Sequence, residues 1–466
     1  MTDAQDIDRY ILGQLTLELD EWERSDIDPG LRHFCQKLRE FYWTVTRLVG
    51  LGYLHDGSWR KPAADEAPAL RPLLEGNIPA PPARARILID VTATHRYDIN
   101  TGVQRVIRGI ARAAVESGAG LPVYIEAGRL YSHFRHPALP DDVTLAPGDK
   151  LLLLDASWNL AAEYESVLAE AARLGVERIA CLYDLIPLRH PAVVGHVNRG
   201  SFARWFETVI ATSDAVVGIS RCVIDDFVDY AKTHPLALRP TLRLGWWPLG
   251  ADLSRPAAAA PSDAAPSDAA RRLIDAGRPL FLSVGTMEPR KGLAIALDAF
   301  DALWRDGRDA TWAIVGRPGW NIKAFQQRLR SHPEFGRRLF WLIGASDADL
   351  QFLYSNCRAL VFPSVAEGFG LPIVEAAHFG APVIASDIPV FREVGGDGVI
   401  YFKAADPAAL KERLGEALDA APPPLKIHVT NWSESAATLL SMIGAGTYQT
   451  KIDAVACGPD ALRHGN

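Results

Sequence analysis

Two series of short, continuous apolar runs, set apart by a low-complexity stretch, limit what this 466-residue chain can fold into. The first series is ILIDV (87–91), LLLLD (151–155), RIACLYD (178–184) and AVVGIS (215–220). The second is LFLSVG (280–285), WAIVG (312–316), LFWLIG (339–344), ALVFP (359–363) and PVIAS (382–386). Helical patterns lie between successive runs. A strand covered by helices on both faces is apolar throughout, so each series reads as a parallel sheet. Residues 255–278 hold the tandem PSDAAPSDAA (261–270) and read as an Ala/Pro/Ser linker. The expected fold class is therefore α/β, with two doubly wound, Rossmann-like domains facing across a cleft. They would span residues 85–254 and 279–430, followed by a C-terminal helix and frayed tail over 431–466. Ligands of such sheets bind beyond the carboxyl ends of the strands.

Residues 1–84 stand apart. Ile7, Ile11, Leu15, Leu19 and Trp22 recur at helical spacing, as do Leu31, Phe34, Leu38, Phe41, Val45 and Leu48. The Asp28-Pro29-Gly30 break separates them, and a Pro- and Ala-rich connector follows. A packed helical hairpin is favoured over a membrane-surface or partner-docking face.

Composition removes several function classes. Apolar residues make up 48% and charged residues 23%, a globular profile. A net charge of −7 argues against a nucleic-acid partner, whose phosphates would call for a basic excess. The five cysteines lack CxxC spacing and read as free thiols in a reducing compartment. No apolar run is long enough to span a bilayer and the acidic start is unlike a secretory signal, so a cytoplasmic location is expected.

Two segments carry chemistry. In SVAEGFGLPIVEAAHFG (364–380), Pro372 stands where a helix should begin, and Gly368 and Gly370 would let backbone approach a ligand. The amides around Gly368, Phe369, Gly370 and Leu371 would then lie at the positive end of that helix, an anion site. Glu367 and Glu375 bracket it, and carboxylates accept hydrogen bonds from vicinal sugar hydroxyls, which suggests a phosphorylated sugar compound. A capped helix with exposed glutamates fits that spacing equally well. In SVGTMEPRKGLAIALDAF (283–300), Arg290 and Lys291 sit at a strand-to-helix turn and could neutralise a diphosphate. In isolation a solvated basic turn is the better reading; the company of Glu367 in one domain moves the balance.

Together EPRKG, AEGFGLPIVEA and G-x-PVIAS-x-IP-x-FREV resemble the retaining family 4 (group 1) glycosyltransferases of the GT-B fold. DINTGVQRVIRGI (98–110) and YDLIPLRHP (183–191) resemble the acceptor-domain signatures of bacterial O-antigen and exopolysaccharide transferases, many of them mannosyltransferases. The resemblance covers about residues 85–445. It implies that Glu367 contacts the donor sugar and Glu375 the nucleotide ribose, while Arg290 and Lys291 hold the diphosphate. Thr101 and Gly102 would reach that diphosphate from the other domain. It also implies a nucleotide-sugar co-substrate without a metal cofactor. The acceptor would be a glycan or lipid-linked oligosaccharide, which leaves room for peripheral membrane contact. Mannose from GDP-mannose is the expected donor, although users of UDP-glucose, UDP-galactose and dTDP-rhamnose share these motifs.

One position departs from the pattern. Relatives often carry histidine where this chain has Tyr183, so Asp184 is expected to take the polar or basic role, with His190 a nearby alternative. Tyr183 also keeps open a catalytically silent scaffold that only binds nucleotide sugar. An NAD-type oxidoreductase is disfavoured, because SVGTMEPRKG lacks the G-x-G-x-x-G turn.

Overall fold

The computed structural model describes residues 85–97, 101–133, 142–194, 196–251 and 265–453. The chain divides into two compact units: residues 1–71 with 96–99, and residues 72–95 with 100–466. The expected N-terminal extension and the first PSDAA copy (but for its last alanine) lie outside the described residues. All contacts below belong to the larger unit.

That unit contains two sheets. The first takes β1 (Ile87–Asp90), β2 (Leu121–Glu126), β3 (Arg129–Ser132), β4 (Lys150–Leu153), β5 (Glu177–Leu182), β6 (Ala215–Gly218) and β7 (Thr241–Trp246). The second takes β8 (Leu280–Val284), β9 (Thr311–Val315), β10 (Leu339–Leu342), β11 (Ala359–Phe362), β12 (Val383–Ser386) and β13 (Ile400–Phe402). The last strand, β14 (Thr450–Asp453), returns to the first sheet, giving the orders β14-β7-β6-β5-β4-β1-β2-β3 and β10-β9-β8-β11-β12-β13. All pairings are parallel except β2–β3 and β14–β7. The two doubly wound sheets expected from the apolar runs are thus present, and each reverses its winding once, at β1/β4 and at β8/β11.

Helices cover both faces of the second sheet. On one side Phe300 stacks on Trp312 at a centroid distance of 4.9 Å, within an apolar cluster that includes Phe281 and Leu297. On the other, Tyr354, Phe362 and Phe391 pack with Leu282 and Ile373. This double coverage is why the central strands are buried along almost their whole length and mostly apolar, Ser283, Thr311 and Ser386 being the buried polar exceptions.

Two expected boundaries need correction. Residues 255–278 are not linker throughout, because Asp268–Asp275 is a helix. The second PSDAA copy supplies its cap: the Ser267 hydroxyl accepts from the Ala270 amide, and Ala270 and Leu273 are buried in the second domain. A repeat that looks like spacer in sequence is therefore, in its second copy, a helix start.

The C-terminal segment is also more than a helix with a frayed tail. Helix Trp432–Ala445 packs on helix Gly102–Glu116 of the first domain. Past it, Tyr448 donates to Glu177 at 2.8 Å, and the Gln449 amide both accepts from and donates to the Trp246 backbone at 3.0 Å. β14 then pairs along β7. The physical reason is the edge that the parallel series leaves open at β7, whose backbone groups would otherwise face solvent.

The helix pair meets at Gly109, where an added Cβ would lie 2.3 Å from the Trp432 ring. Gly109→Ala is expected to destabilise the protein by about 1–3 kcal/mol in urea unfolding through overpacking. Gly200→Ala, on helix His196–Thr212 where an added Cβ meets nothing within 4 Å, should leave stability unchanged or raise it by up to ~1 kcal/mol.

Candidate active site

The site forms where the loops after β8 and β11 run side by side, at the switch point of the second sheet, the usual ligand crevice of a doubly wound domain. The loops are tied by the Val365 amide, which donates to the Arg290 carbonyl at 2.8 Å. Gly292 permits the approach: it has φ 65°, and a Cβ there would sit 2.0 Å from the Pro363 carbonyl oxygen.

Arg290, Lys291 and Glu367 come together as the motifs predict. Arg290 Nη1 lies 2.6 Å from one Glu367 oxygen and Lys291 Nζ 2.5 Å from the other. The Ser364 hydroxyl donates to Glu367 at 2.8 Å, and Glu288 accepts from Arg290 Nε at 2.7 Å. Lys291 also stands 5.4 Å over the Phe362 ring. Glu367 is only 8% exposed. Burial pushes its carboxyl up, but Arg290 and Lys291 outweigh burial and hold it at about 2. Burial and the adjacent Arg290 push the Lys291 ammonium down. Burial pushes Glu288 up against the pull of its cations.

Asp184 joins this cluster from the loop after β5. It feels Arg290, Glu367 and Lys291 electrostatically, and its Oδ1 accepts the Ile186 amide at 2.9 Å. Burial, with Glu367 adding, raises its pKa despite the two cations. Tyr183 is no substitute for a histidine. Its hydroxyl donates to the Leu154 carbonyl at 3.0 Å, and burial drives its pKa well up. His190 is exposed, outside the cluster.

The reason for the glycines is corrected. A Cβ at Gly368 would fall 1.8 Å from the Tyr183 carbonyl oxygen, so its missing side chain admits the backbone of the first domain, not a ligand. Its own carbonyl accepts from the Ser220 hydroxyl at 2.8 Å. Gly370 holds φ 114° at the N-cap of helix Leu371–His378, against the Phe391 ring. Phe369 is buried between the two glycines. The helix itself begins where Pro372 implied, and its first turn leaves amides without helical partners.

Glu375 lies on that helix and is 2% exposed. Tyr354 donates to one oxygen at 2.8 Å, and Arg105 pairs with the other. Thr101 caps helix Gly102–Glu116, accepting from the Gln104 amide while the Gln104 side chain accepts from the Thr101 amide. Gly102 reaches the second domain: a Cβ there would be 3.7 Å from Leu371. Asp184, Arg290, Lys291 and Glu367 thus form one group, and Gly102, Leu371 and Glu375 lie along the helix that follows it. Glu288, Arg105 and Tyr354 were missed; only Glu288 carried a local signal, two positions before Arg290.

The Glu367 shift sets a pH dependence. A carboxyl held at about 2 against an ordinary 4.5 contributes stability that is full above 4.5 and lost as pH falls toward 2. Glu367→Gln should unfold at lower urea than wild type near neutrality. Its stability should fall less steeply between pH 4.5 and about 2. Parallel acid limbs for the two proteins would contradict the pairing.

The family described as glycosyl transferases group 1 matches residues 266–436, which contain Arg290, Lys291, Glu367 and Glu375. The chain is 34% identical over 377 residues to the serotype-specific mannosyltransferase WbdA of Escherichia coli, covering 76% of this chain and 44% of that protein. It therefore spans less than half the length of that relative. O-antigen chain mannosyltransferase B of Escherichia coli is 36% identical over 141 residues, 29% of this chain and 36% of its own. Among solved structures, sucrose-phosphate synthase from Thermosynechococcus elongatus matches with a TM-score of 0.49 at 15% identity, over 82% of this chain and 98% of its own. Residues 266–436 are a glycosyl transferases group 1 domain, and the chain is homologous to O-antigen mannosyltransferases.

Proposed function

We propose that this protein is a glycosyltransferase that moves a hexose, mannose from GDP-mannose, onto a glycan acceptor in surface polysaccharide synthesis, with the anomeric configuration retained. The observation that carries the reading is Glu367 held ionised between Arg290 and Lys291 at the β8/β11 switch point. The names of the homologous mannosyltransferases support the sugar. A lipid-linked oligosaccharide is the acceptor class proposed. Among the described residues no helix is long and apolar enough to cross a membrane.

The residues divide the work. Sugar hydroxyls would donate to Glu367 and the ribose diol to Glu375. As the sugar–phosphate bond breaks, its electron pair moves onto the leaving diphosphate. Arg290, Lys291 and the amides opening helix Leu371–His378 would stabilise that charge without a metal; such stabilisation is usually the largest catalytic term. Thr101 and Gly102 would close over the diphosphate from the first domain. Asp184, raised by burial, would take the acceptor hydroxyl proton.

A second reading, a silent nucleotide-sugar-binding scaffold, is favoured only by Tyr183, whose hydroxyl is committed to Leu154. Calorimetry with GDP-mannose, UDP-glucose, UDP-galactose and dTDP-rhamnose, paired with nucleoside diphosphate release on a lipid-linked oligosaccharide, separates the two. GDP-mannose should bind, Glu367→Ala should weaken it at least about tenfold, and Arg290→Ala should cut release about 10²–10³-fold. Binding without release would leave the scaffold. Binding of none of the four would sink both readings.

A further inference from the structure

Arg105 has no part in the reading above, yet it touches one of that reading's central groups. It comes from helix Gly102–Glu116 of the first domain, one turn beyond Gly102, and pairs with Glu375 across 270 residues of sequence. Glu375 has two partners of different kinds. Tyr354 is 1% exposed and belongs to the core of the second domain, so it holds the carboxylate from inside. The Arg105 side chain is 29% exposed and covers the carboxylate from the solvent side. A carboxylate this buried is costly without a counter-charge, and Arg105 supplies that charge. Asp347, exposed at the start of helix Asp347–Asn356, adds to the field around the guanidinium.

A ribose cannot reach Glu375 while Arg105 lies over it. A nucleoside diphosphate, however, brings both the diol and a new anion. Its phosphates would sit by Arg290, Lys291 and the start of helix Leu371–His378. Leu371 is four residues before Glu375, about 6 Å along the helix axis. Gly102 already lies against Leu371. The anion therefore arrives within a side chain's swing of the guanidinium.

We propose that Arg105 is an exchangeable counter-ion: it closes the Glu375 seat in the unliganded protein and transfers to the diphosphate when a nucleoside diphosphate binds. The proposal rests on the reading of Glu375 as the ribose group. Its consequence is selectivity. A bare nucleoside must uncover Glu375 and leaves Arg105 with only the more distant field of Asp347, whereas a nucleoside diphosphate exchanges one anionic partner for another. Arg105 is on this account a positioning residue that rejects dephosphorylated nucleosides.

The test is calorimetry on the full chain with two probe pairs, GDP with guanosine and UDP with uridine. Wild type, Arg105→Met and Arg105→Lys are compared, with thermal unfolding of each variant alongside. Wild type should bind a diphosphate, and Arg105→Met should lower the diphosphate-to-nucleoside affinity ratio at least about tenfold. Arg105→Lys, which keeps the charge, should restore part of that ratio. A mere strut between domains would weaken both probes alike, so an unchanged ratio in Arg105→Met overturns the proposal. If wild type binds neither GDP nor UDP, the nucleotide-site reading itself falls and the counter-ion role with it.

Discussion

Arg290 and Lys291 are adjacent in sequence and largely buried, and like charges in that position repel each other and resist leaving water. Glu367 makes the arrangement tolerable by giving one oxygen to each, while Glu288 takes the far side of the guanidinium. Removing one partner from such a buried set typically costs ~3–5 kcal/mol. The rest of the site follows from keeping this cluster intact. β8 and β11 must be neighbours so that their loops meet, which the sheet order ensures. Gly292 must lack a side chain, and the Val365 amide must find the Arg290 carbonyl. The carboxylate is thereby fixed in its ionised form.

The first domain has a matching but acidic switch point between β1 and β4. Asp90 accepts from the Thr92 amide at 3.1 Å and from Tyr164 at 2.7 Å. Asp155 accepts from the Thr94 amide at 2.6 Å and from the Ala156 amide at 2.8 Å. Burial, reinforced by Asp90, pushes Asp155 up to about 7. These acids stitch the ends of β1 and β4 together, and the Tyr183 hydroxyl on Leu154 adds the end of β5. Tyr183 thus serves the scaffold, and the next residue, Asp184, is left facing the cations of the other domain.

What the sequence revealed follows coverage. Strands near the middle of each sheet are buried on both faces, so their apolar runs stand out. β2 (LPVYIE) and β7 (TLRLGW) lie nearer the edges and mix exposed polar positions with buried ones, and β14 (TKID) has a single apolar residue. None of these has a run to find, whereas β10 (LFWL), although an edge strand, keeps its apolar run and was legible from it. The site shows the same division. Glu367, Arg290 and Lys291 follow strand ends inside compact motifs, whereas Arg105 meets Glu375 only through the approach of two domains. Gly368 was legible as a glycine but not for its reason, because the Tyr183 carbonyl that excludes a Cβ comes from the other sheet.

The contacts that join the two domains differ in kind from those that build them. Each sheet is held by an apolar core, but the junction is mainly polar. Glu393 accepts from the Arg221 and Cys222 amides at 2.7 and 2.9 Å, Ser220 donates to Gly368, Trp320 donates to Val193 at 3.2 Å, and Arg105 pairs with Glu375. Ile186, Val194 and Ala366 add one small apolar cluster. Water can replace hydrogen bonds and ion pairs of this sort at little net cost, while it cannot replace buried leucines. An interface of this composition allows the domains to part with their cores intact. Two of these polar links, Ser220 to Gly368 and Arg105 to Glu375, end on residues of the candidate site itself. Opening the junction would therefore disassemble the site, and a ligand bridging Gly102 and Leu371 would favour the closed form by its own contacts.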